Sequence, residues 1–232
     1  DVLNNTVLIL SQGNKGGRNI DIYNNGKLTN VISDKKRMFI AKAKFINENK
    51  IILSLLSNQL YVYDIKNKKF IYDVQISQSK FSDFSLSENK KRIVIADESG
   101  NLQLHNTENG KNIKSFEDKN LDNVFQVDYK NEIILTAGQD RKSVVYSDSE
   151  TYFKSSNFLI YSCGLSPSGK IAAFSSNEDN DVTIFNIKTK KELYTLKENK
   201  MVITNLFFIN EQEIFVTSDN NIINYYKLKE LK

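Results

Sequence analysis

Tryptophan is absent from this chain, and cysteine, histidine and proline occur once each. The single cysteine, Cys163, excludes an intramolecular disulfide and a cysteine-based zinc site. The single histidine, His105, leaves too few imidazoles for a haem or zinc centre built on histidines. No apolar run approaches the ~18 residues of a membrane-spanning helix. Nor is charge of one sign gathered in one segment: the net charge of +4 is spread along the chain, mostly as lysine at apparent turns. A nucleic-acid-binding domain usually concentrates its cations on one face or segment, so no nucleic-acid partner is expected. What remains is 40% hydrophobic and 26% charged over 232 residues, an ordinary globular composition and enough chain to bury a core without staples.

What is present is a repeat. An alternating strand ends on a ring-bearing residue and then a polar one. The copies are Ile20-Asp21-Ile22-Tyr23-Asn24, Leu60-Tyr61-Val62-Tyr63-Asp64, Leu102-Gln103-Leu104-His105-Asn106, Ser143-Val144-Val145-Tyr146-Ser147, Val182-Thr183-Ile184-Phe185-Asn186 and Ile223-Asn224-Tyr225-Tyr226-Lys227. Their ring positions, 23, 63, 105, 146, 185 and 226, are spaced by 40, 42, 41, 39 and 41 residues. A second element keeps step: an apolar strand, a short polar turn, a second apolar strand. It runs through Phe45–Leu53, Leu86–Ile95, Tyr129–Leu135, Leu165–Ala173 and Phe208–Val216, with Asn, Asp, Ser, Gly and Pro167 supplying turn geometry. Strands with period two dominate, and the stretch nearest to a helical period, Lys35 to Lys44, leads straight into a repeat turn.

A beat of about 40–45 residues with four strands per unit is that of a β-propeller blade. Leu165-Ser166-Pro167-Ser168-Gly169-Lys170 resembles the turn between the first and second strands of the WD-repeat family. Leu135-Thr136-Ala137-Gly138-Gln139-Asp140, running on to Tyr146-Ser147, resembles its second strand, tight turn and third strand. The resemblance implies an all-β β-propeller of about six four-stranded WD-repeat-like blades, filling residues 1–232 as a single domain. Three family features are missing. There is no tryptophan, no Gly-His pair opens a repeat, and only Asp64 keeps the aspartate of the terminal dipeptide. The family's Asp–His–Ser/Thr–Trp hydrogen-bond network cannot exist here as such, so packing of apolar strands is expected to hold each blade.

Inner strands are expected near positions 40, 81, 124, 160 and 202. The first repeat opens on Thr6-Val7-Leu8-Ile9-Leu10, which matches a second strand, so the first blade is expected to lack its inner strand. The sixth has three clear strands. Completing both takes roughly ten to thirty further residues ahead of Asp1, and a seventh blade fits if more is missing there.

His105 stands where the other repeats place Tyr or Phe, and is expected to fill an aromatic slot rather than act as acid, base or ligand. Cys163 shares a strand face with Tyr161 and Leu165 and reads as a buried small hydrophobe. Gly13-Asn14-Lys15-Gly16-Gly17-Arg18 superficially resembles a phosphate loop, but a strand follows it where a phosphate loop needs a helix N-terminus. Glu178, Asp179 and Asp181 read as a solvated turn. No catalytic, metal or cofactor residue is assigned, and the chain is expected not to be an enzyme.

Propellers present loop-bearing faces to other proteins. Candidate partner contacts are Arg18 and Arg141, in equivalent turns between second and third strands and therefore expected on one face. Tyr152, Phe153 and Phe158, flanking a short outer region of the fourth repeat, join them. Gly164 to Lys170 together with Thr136-Ala137-Gly138-Gln139-Asp140-Arg141 resembles the WD-repeat accessory proteins of bacterial periplasmic nitrate reductase systems, the NapL type. That resemblance implies an exported, non-catalytic accessory protein that assists assembly of the reductase or electron delivery to it; the chain is expected to be monomeric. The alternatives are a cytoplasmic adaptor with an unrelated partner and a ligand-binding propeller.

Overall fold

Ile, Val, Tyr and Phe dominate the repeating segments, and such side chains fit the pleated surface of a sheet. Successive residues alternate between the two faces. The computed structural model describes residues 1–116 and 119–229. They form strands joined by turns, with two 3₁₀ turns, Asn14–Gly16 and Asp34–Lys36.

The first sheet contains β1 (Val2–Leu3), β2 (Thr6–Gln12), β3 (Arg18–Asn24) and β4 (Lys27–Ile32); the second, β5 (Ile40–Asn47), β6 (Lys50–Leu55), β7 (Gln59–Asp64) and β8 (Lys69–Gln75). The third holds β9 (Phe81–Leu86), β10 (Arg92–Asp97), β11 (Leu102–Asn106) and β12 (Asn112–Phe116); the fourth, β13 (Val124–Lys130), β14 (Ile133–Gly138), β15 (Lys142–Tyr146) and β16 (Thr151–Ser155). The fifth holds β17 (Cys163–Leu165), β18 (Ile171–Ser175), β19 (Val182–Asn186) and β20 (Glu192–Leu196); the sixth, β21 (Ile203–Asn210), β22 (Glu213–Ser218) and β23 (Ile223–Lys227). Spatial order follows chain order in every sheet. This is the blade pattern that the repeat predicts.

Two expectations need correction. The first sheet does have a first strand, two residues long: Val2 pairs with Val7 and Leu3 with Thr6, around a turn in which Asn4 takes a left-handed φ of 52°. The fifth sheet's first strand starts at Cys163 rather than near 160, because Tyr161 and Ser162 give their N–H groups to the Ser175 hydroxyl instead of to a ladder. By its internal contacts the chain divides into two compact units. Unit 1 is Asp1–Phe81, Lys90–Ile93 and Gln103–Lys114; unit 2 is Ser82–Asn89, Val94–Leu102 and Ser115–Lys232.

In unit 1 the core lies between the first two sheets, with Leu8, Ile20 and Ile32 against Ile40, Phe45, Ile51 and Leu53. In unit 2, Leu135, Ala137 and Val145 of the fourth sheet meet Leu165, Ala172, Phe174 and Phe185 of the fifth. The other face of the fifth, Ala173, Val182 and Ile184, meets Leu206, Phe208, Ile214 and Val216 of the sixth. Each large aliphatic chain buried this way contributes about 1.5–3 kcal/mol.

The ring position of the repeat is buried at Tyr63, His105, Tyr146 and Phe185, but Tyr23 is 44% exposed. In the fourth sheet it also anchors a buried polar network. Asn120 donates its Nδ2 to the Tyr146 hydroxyl at 2.9 Å and accepts the Thr136 Oγ1 hydrogen at 2.8 Å. Asp140 accepts the Leu121 and Lys142 N–H groups. Packing alone therefore does not hold this blade; hydrogen bonds between residues other than the family's take a share. Burial, seconded by the Asp140 charge, raises the Tyr146 hydroxyl's pKa, so it stays a neutral hydroxyl.

Candidate interaction surface

In an up-and-down sheet, the turn between second and third strands and the connection to the next sheet lie at the same end. At that end of the fourth sheet, Arg141 has a φ of 63°, and its N–H reaches Gly138 O at 3.3 Å. The connection from β16 to β17 is pinned to this turn. Ser156 N donates to Arg141 O at 2.9 Å and Ile160 N to Gly138 O at 3.3 Å. Ser156 Oγ reaches on to Ser176 O in the fifth sheet's turn at 2.6 Å, and also accepts the Phe158 N–H. Through Ser156 the Phe158 backbone is thus tied to the turn that carries exposed Arg141. Its ring meets Tyr161 edge-on at 6.1 Å, and Tyr161 stacks on Phe125 at 5.2 Å. All three rings are half-buried.

The same end continues into the sixth sheet. Asn199 Nδ2 donates to Asn180 O at 3.1 Å, and Asp219 N to Val202 O at 2.9 Å. These bonds set Met201, Val202 and Ile222 on the surface. The result is an apolar surface on loops braced by hydrogen bonds, with Arg141, Glu178 and Asp179 exposed in the same turns.

Beside it the first strands are clasped by side chains. Gln126 Oε1 accepts the Ser162 hydroxyl at 2.7 Å and the Cys163 N–H at 2.9 Å, while its Nε2 donates to Asn205 Oδ1 at 3.0 Å. One side chain of β13 therefore touches the start of β17 and also β21. Asp128 accepts the Leu165 N–H and Asp83 the Val127 N–H, at 2.9 and 3.0 Å. These acceptors satisfy strand-edge N–H groups that have no ladder partner. Gly164 lets the strands approach this closely: a Cβ there would lie 2.4 Å from Leu206 O.

Of the residues singled out from sequence, Arg141 and Phe158 lie on hydrogen-bonded segments at this end of the fourth sheet. Tyr152 and Phe153 lie on β16 instead, and point to opposite faces. The Tyr152 hydroxyl donates to Ile187 O at 2.6 Å, Lys190 Nζ sits 4.6 Å from its ring centroid, and burial pushes its pKa up to about 12. Exposed Phe153 lies under Lys142 Nζ at 4.8 Å. Arg18 belongs to unit 1, half-buried at the start of β3, where its N–H donates to Met38 O.

Tyr152 is one of three like ties that the repeat pattern does not flag. Tyr72 donates to Thr107 O at 2.8 Å and Tyr194 to Lys229 O at 2.9 Å, and each tie reaches 35 residues ahead. A sequence signal for them does exist: a tyrosine in an outer strand, opposite the residue before the ring position, in Ile71-Tyr72, Thr151-Tyr152 and Leu193-Tyr194.

The remaining candidates make contacts within the fold. His105 is buried, its Nδ1 2.9 Å from Gly110 O and its Nε2 2.9 Å from Gln103 Oε1, and burial lowers its pKa. Cys163 is buried with Sγ 3.5 Å from Leu135 O. Gly13 to Arg18 form a turn into β3. Asp181 bonds to Asn177 within its own loop.

No protein-family model and no curated protein matches the chain. Solved structures do. A chain from the crystal structure of the mitotic checkpoint complex superposes with a TM-score of 0.79 at 14% identity, over 95% of this chain and 73% of that one. The fold is a β-propeller. At 14% identity the likeness shows fold alone. With 1762 solved chains matching, the propeller is too widespread to name a partner.

Proposed function

We propose that this β-propeller is a non-catalytic protein-interaction module, and that it recognises its partner through the loop end of unit 2 carrying Arg141, Phe158, Tyr161 and Met201. The observation that supports this reading is the combination at that end. Half-buried aromatic rings, an exposed arginine and exposed apolar chains sit on loops braced by backbone hydrogen bonds. Aromatic, Met and Arg side chains are the residues enriched at interface centres, and braced loops lose little entropy on binding.

Crosslinked affinity capture from native cells, with the unaltered chain and with Arg141→Ala/Met201→Ala, tests it. Both side chains are exposed, so the fold survives their truncation. Loss of the same captured protein from the double variant supports the reading. Capture that is identical with both chains overturns it. The narrower proposal, an accessory protein of a periplasmic nitrate reductase, rests on the sequence resemblance alone, as does periplasmic placement; capture of reductase subunits is what that proposal requires.

A further inference from the structure

Two loops of unit 1 gather cations that the sequence scatters. The β2–β3 connection supplies Lys15, with Arg18 opening β3 directly after it; the β4–β5 connection supplies Lys35, Lys36 and Arg37. The loops are fastened together. Asn14 N donates to Asp34 Oδ2 and Asp34 N to Asn19 Oδ1, each at 2.8 Å, and Arg18 N donates to Met38 O at 3.1 Å. Glycines permit the approach: a Cβ on Gly17 would lie 2.6 Å from Asp34 O, and one on Gly16 2.7 Å from the Phe39 ring.

Asp34 is the only acid in residues 13–18 and 33–39; its carboxylate accepts the Asn14 N–H and the Ser33 hydroxyl, and of the five cations it interacts with the Lys35 charge. Among the described residues none of the five cations forms an ion pair. Lys36 has a substitute, with Nζ 4.9 Å from the Phe70 ring centroid and 5.8 Å from that of Tyr63. Lys15, Lys35 and Arg37 are exposed and Arg18 half-buried. Crowding like charges on a braced surface costs electrostatic energy that an anionic partner relieves.

We propose that these paired loops form a docking surface for a carboxylate-rich segment of a partner protein, with exposed Phe39 as the apolar anchor among the cations. A peptide fits better than a nucleic acid. The patch lies on two fastened loops rather than along a stripe, and in mid-strand beside it β3 and β4 carry Asp21 and Asn30, bonded to each other. The proposal is independent of the one made for unit 2.

The test uses fluorescence anisotropy of a labelled oligo-glutamate peptide against the whole chain. Lys15→Ala/Lys35→Ala/Arg37→Ala should weaken binding on the order of tenfold, by the summed loss of three exposed charge contacts. The control Lys66→Ala/Lys68→Ala/Lys69→Ala removes the same charge from another exposed turn of unit 1 and should leave binding unchanged. Gly17→Ala keeps every charge but pries the loops apart, and should fall between the two. Equal weakening by the control would reduce the effect to net charge and overturn the proposal. So would no binding by the unaltered chain, or tighter binding of an RNA oligonucleotide of equal charge that the triple variant abolishes.

Discussion

The fifth and sixth sheets obey one repeat and are covered in different ways. In the fifth, β17, β18 and β19 are buried on both faces. Small residues, Gly164, Ala172 and Ala173, stand where neighbours press from both sides. In the sixth only one row is buried, Leu206, Phe208, Ile214 and Val216. The row behind it runs in register from Phe207 to Phe215 to Tyr225, with Phe207 58% exposed. Alternation tells which residues share a face; it does not tell whether that face has a cover.

The contrast is sharpest at its largest side chains. Phe185→Ala, in the doubly covered sheet, should cost about 3–5 kcal/mol in urea unfolding. Phe207→Ala, in the open row, should stay within about 0.5 kcal/mol. A cost at Phe207 approaching that at Phe185 would show that the open row is covered in solution. Gly164→Ala attacks the junction of the two sheets. Its new methyl meets a backbone oxygen that no rotamer change can move aside, so a loss of about 1–3 kcal/mol is expected. A neutral result would mean that the sheets are not so close.

The smallest effects belong to the ties. Tyr152→Phe, fastening fourth sheet to fifth, and Tyr194→Phe, fastening fifth to sixth, should each cost about 1 kcal/mol. Tyr152 adds a pH signature. Below pH 10 it is protonated in both folded and unfolded chains. Between 10 and about 12 the unfolded chain sheds a proton that the folded chain keeps, so stability falls as pH rises through that window. Denaturation midpoints of Tyr152→Phe should fall less steeply there than those of the unaltered chain, and parallel curves would refute the assignment.

The repeat makes the blades legible because each blade meets the same local demands, two faces of alternating side chains and a tight turn at each end. The spacing from Tyr23 to Tyr226 locates every third strand. What it cannot locate is chemistry between blades. Gln126 and Asp128 look like ordinary polar strand residues, and become clasps only once β17 is laid beside β13. The five cations of unit 1 are invisible as a patch in the sequence because Lys15 and Arg37 lie on separate turns, brought together by Asp34. Tyr152 reads in the sequence as an exposed contact, whereas its hydroxyl is engaged with Ile187.

The tyrosine ties carry one last consequence. Each joins two points 35 residues apart. Between Tyr152 and Ile187 the backbone passes through the exposed turn at Glu178 and Asp179. A protease nick there would leave both fragments laced together by the tie and by the strand ladders around it. The succession of blades is thus secured twice, once by covalent continuity and once by side chains that remember their neighbour without it.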